Sequence, residues 1–447
     1  MGPSKLADRL RGILKTTDPT GVRSDLSRVP PASDVVSGLS RTHSNAALED
    51  VLGGEWRQQG DAMCFVIERR IAPQTIYGFA TVGELAHRLE AAVGEMPLLA
   101  GGVAARPPLV FFDLETTGLS GGAGTYAFLI GCGWFDKEGG FFTRQYMLLR
   151  FAEERPLLTM VAGELARAGT LVSFNGKSFD APVLEIRYLF HRLEWIGAQL
   201  PHLDVLHPAR RFWRASEPCS LITLEEQVLG ARRIGDVPGY EIPARYFGFV
   251  RSGDARPLGG VLEHNRLDLL SLAGLTARLL HLVRSGPDHA RDPGEALALG
   301  QVYARAGLDG RAREAFGQAV DGSIGRAASI DCGASIDCTA SIAAMRIAAL
   351  RALALSWRRA RQYDQAAGCW RRLLDMPVCP RQIAREATEA LVIHHEHRVR
   401  DLAAAKAFAL QSIETGMPSA WNDAVRHRLA RIDRKIERTS VRLGLLS

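Results

Sequence analysis

What the sequence lacks narrows the field first. No stretch of its 447 residues approaches the ~18 uninterrupted apolar residues of a membrane helix. Met1 to Lys15 mixes charge with Leu6, Leu10, Ile13 and Leu14, so no secretory signal is expected. Cysteine is scarce, at seven, an odd and scattered number that makes no disulfide framework. Cys64, Cys132 and Cys219 sit among core residues that need no staple. A reducing, cytoplasmic compartment follows as the expectation. With 47% hydrophobic and 23% charged residues, wholesale disorder and a fibrous repeat are excluded. The net charge of +6 and pI near 9.0 favour polyanionic partners.

At 48.7 kDa the chain is too long for one ordinary domain. Residues 1–47, with Thr16-Thr17-Asp18-Pro19 and Pro30-Pro31-Ala32-Ser33, read as a poorly ordered leader. Residues 48–106 read as an extension packed on the next domain, with a strand over Ala62 to Arg70 and a helix over Val82 to Val93.

From 107 to 285 the pattern is α/β. Strands are expected at Leu109 to Phe112, Tyr126 to Phe135, Phe141 to Leu149 and Thr170 to Phe174. Helices are expected at Leu157 to Ala168 and Pro182 to Leu193, with Asp180 near the N-cap of the second. Thr223 and Glu226 have capping-box spacing before Val228-Leu229-Gly230. The expected fold is a mixed sheet flanked by helices.

From 292 to 420 the chain becomes helical and repetitive. Leu299-Gly300, Tyr303, Ala312 and Phe316, then Leu353-Ala354, Trp357, Ala366 and Trp370, follow the tetratricopeptide spacing, and Leu391-Val392, Ala404 and Phe408 repeat it more weakly. A duplicated Ser-Ile-Asp-Cys, at Ser329 and Ser335, suggests an inserted loop over about 322–342. Residues 421–447 read as a basic C-terminal helix, amphipathic from Ala424 to Arg442.

Three segments carry chemistry. In Phe112-Asp113-Leu114-Glu115-Thr116-Thr117-Gly118 an apolar strand ends in acids. Strand alternation puts Asp113 and Glu115 on one face, about 7 Å apart, where both can ligate one metal. In Ser173-Phe174-Asn175-Gly176-Lys177-Ser178-Phe179-Asp180 a strand breaks at Asn175-Gly176, and Asp180, either a cap or a ligand, opens a helix. In Glu263-His264-Asn265-Arg266-Leu267-Asp268, opening an apolar helix, His264 and Asp268 are four apart and share a face.

In order and spacing these segments resemble the three motifs of the DEDD (proofreading-type, DnaQ-like) exonucleases, and most closely the bacterial YprB-type group. Asp113 and Glu115 fit Asp-x-Glu, Asn175 through Asp180 fits Asn-x-x-x-Phe/Tyr-Asp, and Asp268 fits the last aspartate. Asp204-Val205-Leu206-His207-Pro208-Ala209-Arg210-Arg211, Asp236-Val237-Pro238-Gly239-Tyr240-Glu241-Ile242-Pro243 and helical repeats after the nuclease add to the likeness. The third motif departs from it, because His264 occupies the spacing usual for tyrosine.

The resemblance implies a ribonuclease H-like fold followed by a tetratricopeptide-like domain. It implies a 3′-to-5′ exonuclease with two divalent cations, Mg²⁺ or Mn²⁺, held by Asp113, Glu115, Asp180 and Asp268, and with His264 beside them. Four acids in one pocket require such cations, and oxygen ligands suit these two. A neutral His264 could take the water's proton. Thr116, Thr117, Asn175, Lys177, Arg210 and Arg211 are candidate substrate contacts, with Arg214, Phe212 and Trp213 completing a strip for phosphates and a stacked base, unless those aromatics lie in the core. The implied partners are nucleic acid with a free 3′ end, single-stranded DNA foremost, and a protein such as a helicase bound by the repeats, in DNA repair. The alternatives are an RNA-trimming nuclease and a catalytically silent scaffold. His394, His395 and His397 read as surface residues, and His202, His207 and Cys219 as no zinc site.

Overall fold

Seven strands of one mixed sheet organise the α/β half of the computed structural model, which describes residues 45–118, 124–214, 218–322, 336–414 and 419–444. The expected leader, up to Ser44, and most of the Ser-Ile-Asp-Cys duplication lie outside the described residues. The strands are β1 (Glu55–Gln59), β2 (Ala62–Ile71), β5 (Leu109–Thr116), β6 (Ala127–Phe135), β7 (Phe141–Met147), β8 (Thr170–Ser173) and β9 (His202–Asp204). A small hairpin, β3 (Ile76–Tyr77) and β4 (Ala80–Thr81), stands apart from the sheet.

The sheet order is β1-β2-β7-β6-β5-β8-β9. The first five of these pair antiparallel, while β8 and β9 join parallel to β5. The segment expected as a packed-on extension therefore supplies two strands to the sheet itself. The reason is local: β2 carries Phe65, Val66 and Ile67 in a fully buried run, and its edge finds β7 through seven register pairs.

Helices α1 (Val82–Ala92), α2 (Glu154–Leu165), α3 (Asp180–Phe190), α4 (Leu206–Phe212), α5 (Ile242–Ser252) and α6 (Leu258–Ser285) accompany the strands. α1 starts as its sequence says, with a capping box in which Thr81 and Glu84 satisfy each other's backbone N–H groups. The capping expected at Thr223 is overturned. Ser220 caps that helix by accepting from the N–H of Thr223, which already lies inside it, and Gly230 ends it in the left-handed region, φ 70°. α6 is longer than its motif suggests. It starts at Leu258, so His264 and Asp268 sit beyond its first turn.

Phe111, fully buried, shares a face of β5 with Asp113 and Glu115 and packs in the core that contains α1 and α6. Removing such a ring from water stabilises by about 2–3 kcal/mol. One strand thus runs from oily to acidic along a single face, and α6 lies over both parts.

Seven α-helices follow among the described residues: α7 (Pro293–Arg305), α8 (Asp309–Asp321), α9 (Ile336–Arg359), α10 (Tyr363–Leu374), α11 (Arg381–His394), α12 (Leu402–Glu414) and α13 (Ser419–Gly444). Ile336 already starts α9 inside the stretch expected as a loop over 322–342, and residues 323–335 lie outside the described residues. Within α9, Ala340–Arg359 is long and apolar enough to cross a membrane by length and composition alone, although Arg346 and Arg351 interrupt it. A third of that span is buried, with Ala349, Leu350 and Ala354 in the core between α8 and α10. His394 and His395 are buried rather than on the surface, and His395 stacks on Phe408. Cys64, Cys132, Cys219, Cys369 and Cys379 are free thiols.

Candidate metal and nucleic-acid site

α6 meets the acidic end of β5 side-on. Among the described residues, a group of side chains able to hold a metal ion forms there: the ligand atoms of Glu115, His264 and Asp268 all lie within 4.8 Å of one another. Asp113 is tied to the same helix, its Oδ2 accepting from Nδ2 of Asn265 at 2.8 Å. Asn265 is fully buried and also accepts from Gln145 Nε2 at 2.9 Å, so β7, α6 and β5 are locked together at this point. The register places Gly131 opposite Asp113, and a Cβ at 131 would stand 2.2 Å from Asn265 Oδ1. Only glycine leaves room for that amide.

The second motif arrives on the parallel side. β8 ends at Ser173, Asn175 turns with φ 66°, and Asp180 is the first residue of α3, with Phe179 rather than Asp180 at the capping position. Asp204, at the end of β9, holds the turn by accepting from the N–H groups of Asn175 (2.8 Å) and Lys177 (3.1 Å). Asp180 is buried beneath it.

The electrostatics are lopsided. Burial first, then Asp268, Glu115 and Asp180, hold the Asp113 carboxyl well above the ordinary carboxylate range, against which Asn265 pulls only partly. Burial, then Asp268, Asp180 and Asp236, do the same to Glu115. Asp180 is pushed up to about 7 by burial, Asp204 and Asp268. Asp268 is raised chiefly by burial, although Arg233 and His264 oppose the shift. Four acids therefore sense one another's charge across the pocket.

The counter-charge is a residue the motifs do not contain. Arg233, 4% exposed at its side chain, donates to Asp268 Oδ1 at 2.6 Å, to Glu225 Oε2 and to Asp236 Oδ2. Asp236 in turn accepts from His264 Nδ1 at 2.8 and 3.0 Å. Beside them opens a cleft of about 370 Å³ lined in part by Ile222, Glu226, Arg232, Arg233 and Asp236. The sequence showed Asp204 and Asp236 within quoted stretches but not what they hold. Arg233 stands beside the exposed Arg232 in a loop bounded by Gly230 and Gly235, where no motif or periodicity marks it as buried.

The other candidate contacts have mixed fates. Thr116 and Thr117 brace the end of β5: Thr116 donates to Gly118 O and Thr117 Oγ1 accepts from Tyr126 N. Asn175 and Lys177 are exposed around the second motif. The basic strip is corrected. Phe212 and Trp213 are buried, and Trp213 donates to Glu295 Oε1 of α7 at 2.9 Å, so neither ring can stack a base. Arg210 stays exposed, whereas Arg211 is half-buried near Arg305, with its pKa lowered by burial and by that arginine. His202 spends its Nε2 on Ser173 Oγ at 2.7 Å.

Residues 110–280 match the sequence model of the RNase_H superfamily. They form a ribonuclease H-like domain. Across 199 residues the chain is 37% identical to the Uncharacterized protein YprB of Bacillus subtilis (strain 168), an alignment covering 44% of this chain and 47% of that one. The chain thus spans about half the length of the curated relative it matches. The family B DNA polymerase from the hyperthermophilic archaeon Pyrobaculum calidifontis superposes on 59% of this chain and 43% of its own at 15% identity and a TM-score of 0.34, too slight a likeness to bear on function. The matched residues run from β5 through most of α6, so the ribonuclease H-like domain contains all three motifs.

Proposed function

We propose that this chain is a metal-dependent 3′-to-5′ exonuclease that hydrolyses phosphodiester bonds of nucleic acid, with single-stranded DNA as substrate and DNA repair as its setting. The observation that carries the reading is the concentration of Asp113, Glu115, Asp180 and Asp268 at one end of a ribonuclease H-like sheet, every one of them held above its ordinary pKa. Acids that push on one another in this way fit a donor set for divalent cations. Carboxylate oxygens suit Mg²⁺ or Mn²⁺. Bound there, two such ions would supply a Lewis acid for the attacking water and charge for the leaving 3′-oxygen.

The chain's own residues do the positioning. Asn265 and Gln145 fix Asp113, Asp204 fixes the turn before Asp180, and Arg233 fixes one oxygen of Asp268 while leaving the other toward the pocket. The exposed Asn175 and Lys177 are available to a phosphate. In the helices after Asp292 the small and aromatic residues at crossing points, Gly300 against Phe316 among them, support a tetratricopeptide-like array that takes a protein partner, such as a helicase that exposes single strands.

Arg233 favours a second reading. A resident guanidinium on Asp268 would also suit a silent nucleic-acid scaffold that never loads metal. One assay separates these: the purified chain with Mg²⁺ or Mn²⁺ on end-labelled single- and double-stranded DNA and RNA, with EDTA and Asp113→Asn controls. Metal-dependent release of nucleoside 5′-monophosphates from 3′ ends, lost in Asp113→Asn, is the expected result, and its absence on every substrate leaves the scaffold. Trimming of RNA alone reassigns the substrate.

A further inference from the structure

We infer that His264 is a nitrogen ligand of a divalent cation, with Asp236 as the residue that positions it, and that the site consequently selects Mn²⁺ over Mg²⁺. The inference rests on the metal-binding half of the proposed function and assigns His264 a role other than proton acceptor. Its first ground is that the compact donor group contains a nitrogen: Glu115 from the strand and His264 and Asp268 from the helix bring their ligand atoms within 4.8 Å of one another.

The second ground is the ring's other nitrogen. Both oxygens of Asp236 lie at hydrogen-bond distance from Nδ1, and a carboxylate can only accept, so the proton sits on Nδ1. Nε2 then presents its lone pair on the opposite side of the ring. A carboxylate behind the imidazole is the usual support of a metal-bound histidine, because it fixes the ring's orientation and raises its basicity.

The third ground is the gap in front. Nε2 stands 3.4 Å from Asp268 Oδ2. Two donors each about 2.0–2.2 Å from one ion, at roughly a right angle, are about 3 Å apart, so this spacing admits an ion after a small adjustment. Asp268 is set for it, since Oδ1 is occupied by Arg233 and Oδ2 is the oxygen that faces the ring. The imidazole, 8% exposed and one helical turn from Asp268, has little freedom to swing toward a water elsewhere.

Selectivity follows from the donor type. Imidazole suits transition ions, whereas Mg²⁺ keeps water and carboxylate oxygens and gains little from nitrogen. The test uses the whole chain carrying ¹⁵N-histidine. Pulsed EPR of the Mn²⁺-loaded wild type is expected to show hyperfine coupling from a directly bonded histidine nitrogen, absent in His264→Gln. Calorimetry is expected to give a Kd for Mn²⁺ at least ~10-fold weaker in His264→Gln and about 10-fold weaker in Asp236→Asn, while the Kd for Mg²⁺ moves by less than ~3-fold.

The wild-type spectrum needs no variant to fold. Bound Mn²⁺ without nitrogen coupling overturns the assignment, and so does a failure to bind Mn²⁺ at all. Nitrogen coupling without hydrolysis of any nucleic acid would keep the ligand and discard the exonuclease. Hydrolysis without nitrogen coupling would do the reverse.

Discussion

Two acids, half-buried Asp113 in the sheet and buried Glu396 among the last helices, meet opposite treatment. Burial pushes both carboxyls up. At Glu396, hydrogen bonds from Arg431 and Lys435 outweigh that push and bring it down to about 2. At Asp113 the charged neighbours push the same way as burial, and only the Asn265 amide opposes them. Glu295 is likewise bonded from within the fold, by Arg278, Trp213 and the Arg291 N–H. Where the acids only build, the fold satisfies them internally. At the end of β5 Arg233 meets Asp268, while Asp113 and Glu115 are pushed up by their acidic neighbours, at a cost to stability that fits the cation site proposed above.

The largest way to break this contrast is catalytic. Asp113→Asn or Asp268→Asn is expected to lower metal-dependent hydrolysis of end-labelled DNA by on the order of 10³-fold with the circular-dichroism spectrum unchanged. Hydrolysis at wild-type rate in either variant would remove the proposed role of these acids.

Next in size is the loss of a satisfied pair. Arg278→Met leaves Glu295, 1% exposed, without its guanidinium and should cost about 3–5 kcal/mol in urea unfolding. A loss under ~1 kcal/mol would mean that Trp213 and the Arg291 N–H suffice.

Smaller, and opposite in sign, is Asp113→Asn in EDTA. Relief of like-charge repulsion and burial should raise stability by about 1–2 kcal/mol, read as a higher Tm, and a lower Tm would show that the Asn265 bond outweighs the repulsion.

The smallest effect is a pH slope. Glu396 has its folded pKa depressed from 4.5 to about 2, so its contribution is present above pH 4.5 and fades as pH falls toward 2. Glu396→Gln should flatten the acid limb of a Tm-versus-pH curve, and an unchanged limb would assign acid unfolding to other groups.

Sequence patterns carried much of this contrast and none of its wiring. The apolar run Leu109 to Phe112 named β5, alternation put Asp113 and Glu115 on one face, and i,i+4 spacing joined His264 to Asp268, because each signal is local. Arg233 reaches Asp268 across 35 residues, and Asn265 reaches Asp113 across 152. No periodicity encodes such pairs. Phe212 and Trp213 failed for a related reason: aromatics flanked by arginines suit a stacking strip and a core edge alike, and only the arrival of α7, with Glu295 beneath the indole, decides between them. The capping at Ser220 was missed because Thr223 and Glu226 offered a better-looking box one turn further on.

The apolar core has a consequence for the whole molecule. It runs without a break from Ala80 and Phe111 through α6 to Leu391, while a second cluster, Val392, Ala405, Ala409, Val425 and Ile432, begins only at the far end of α11. The helices nearest the sheet are thus no passenger on a tether. Sharing one core, they are expected to unfold together with it, and a partner bound to them would keep a fixed bearing toward the acids, as a hand on a handle governs the blade.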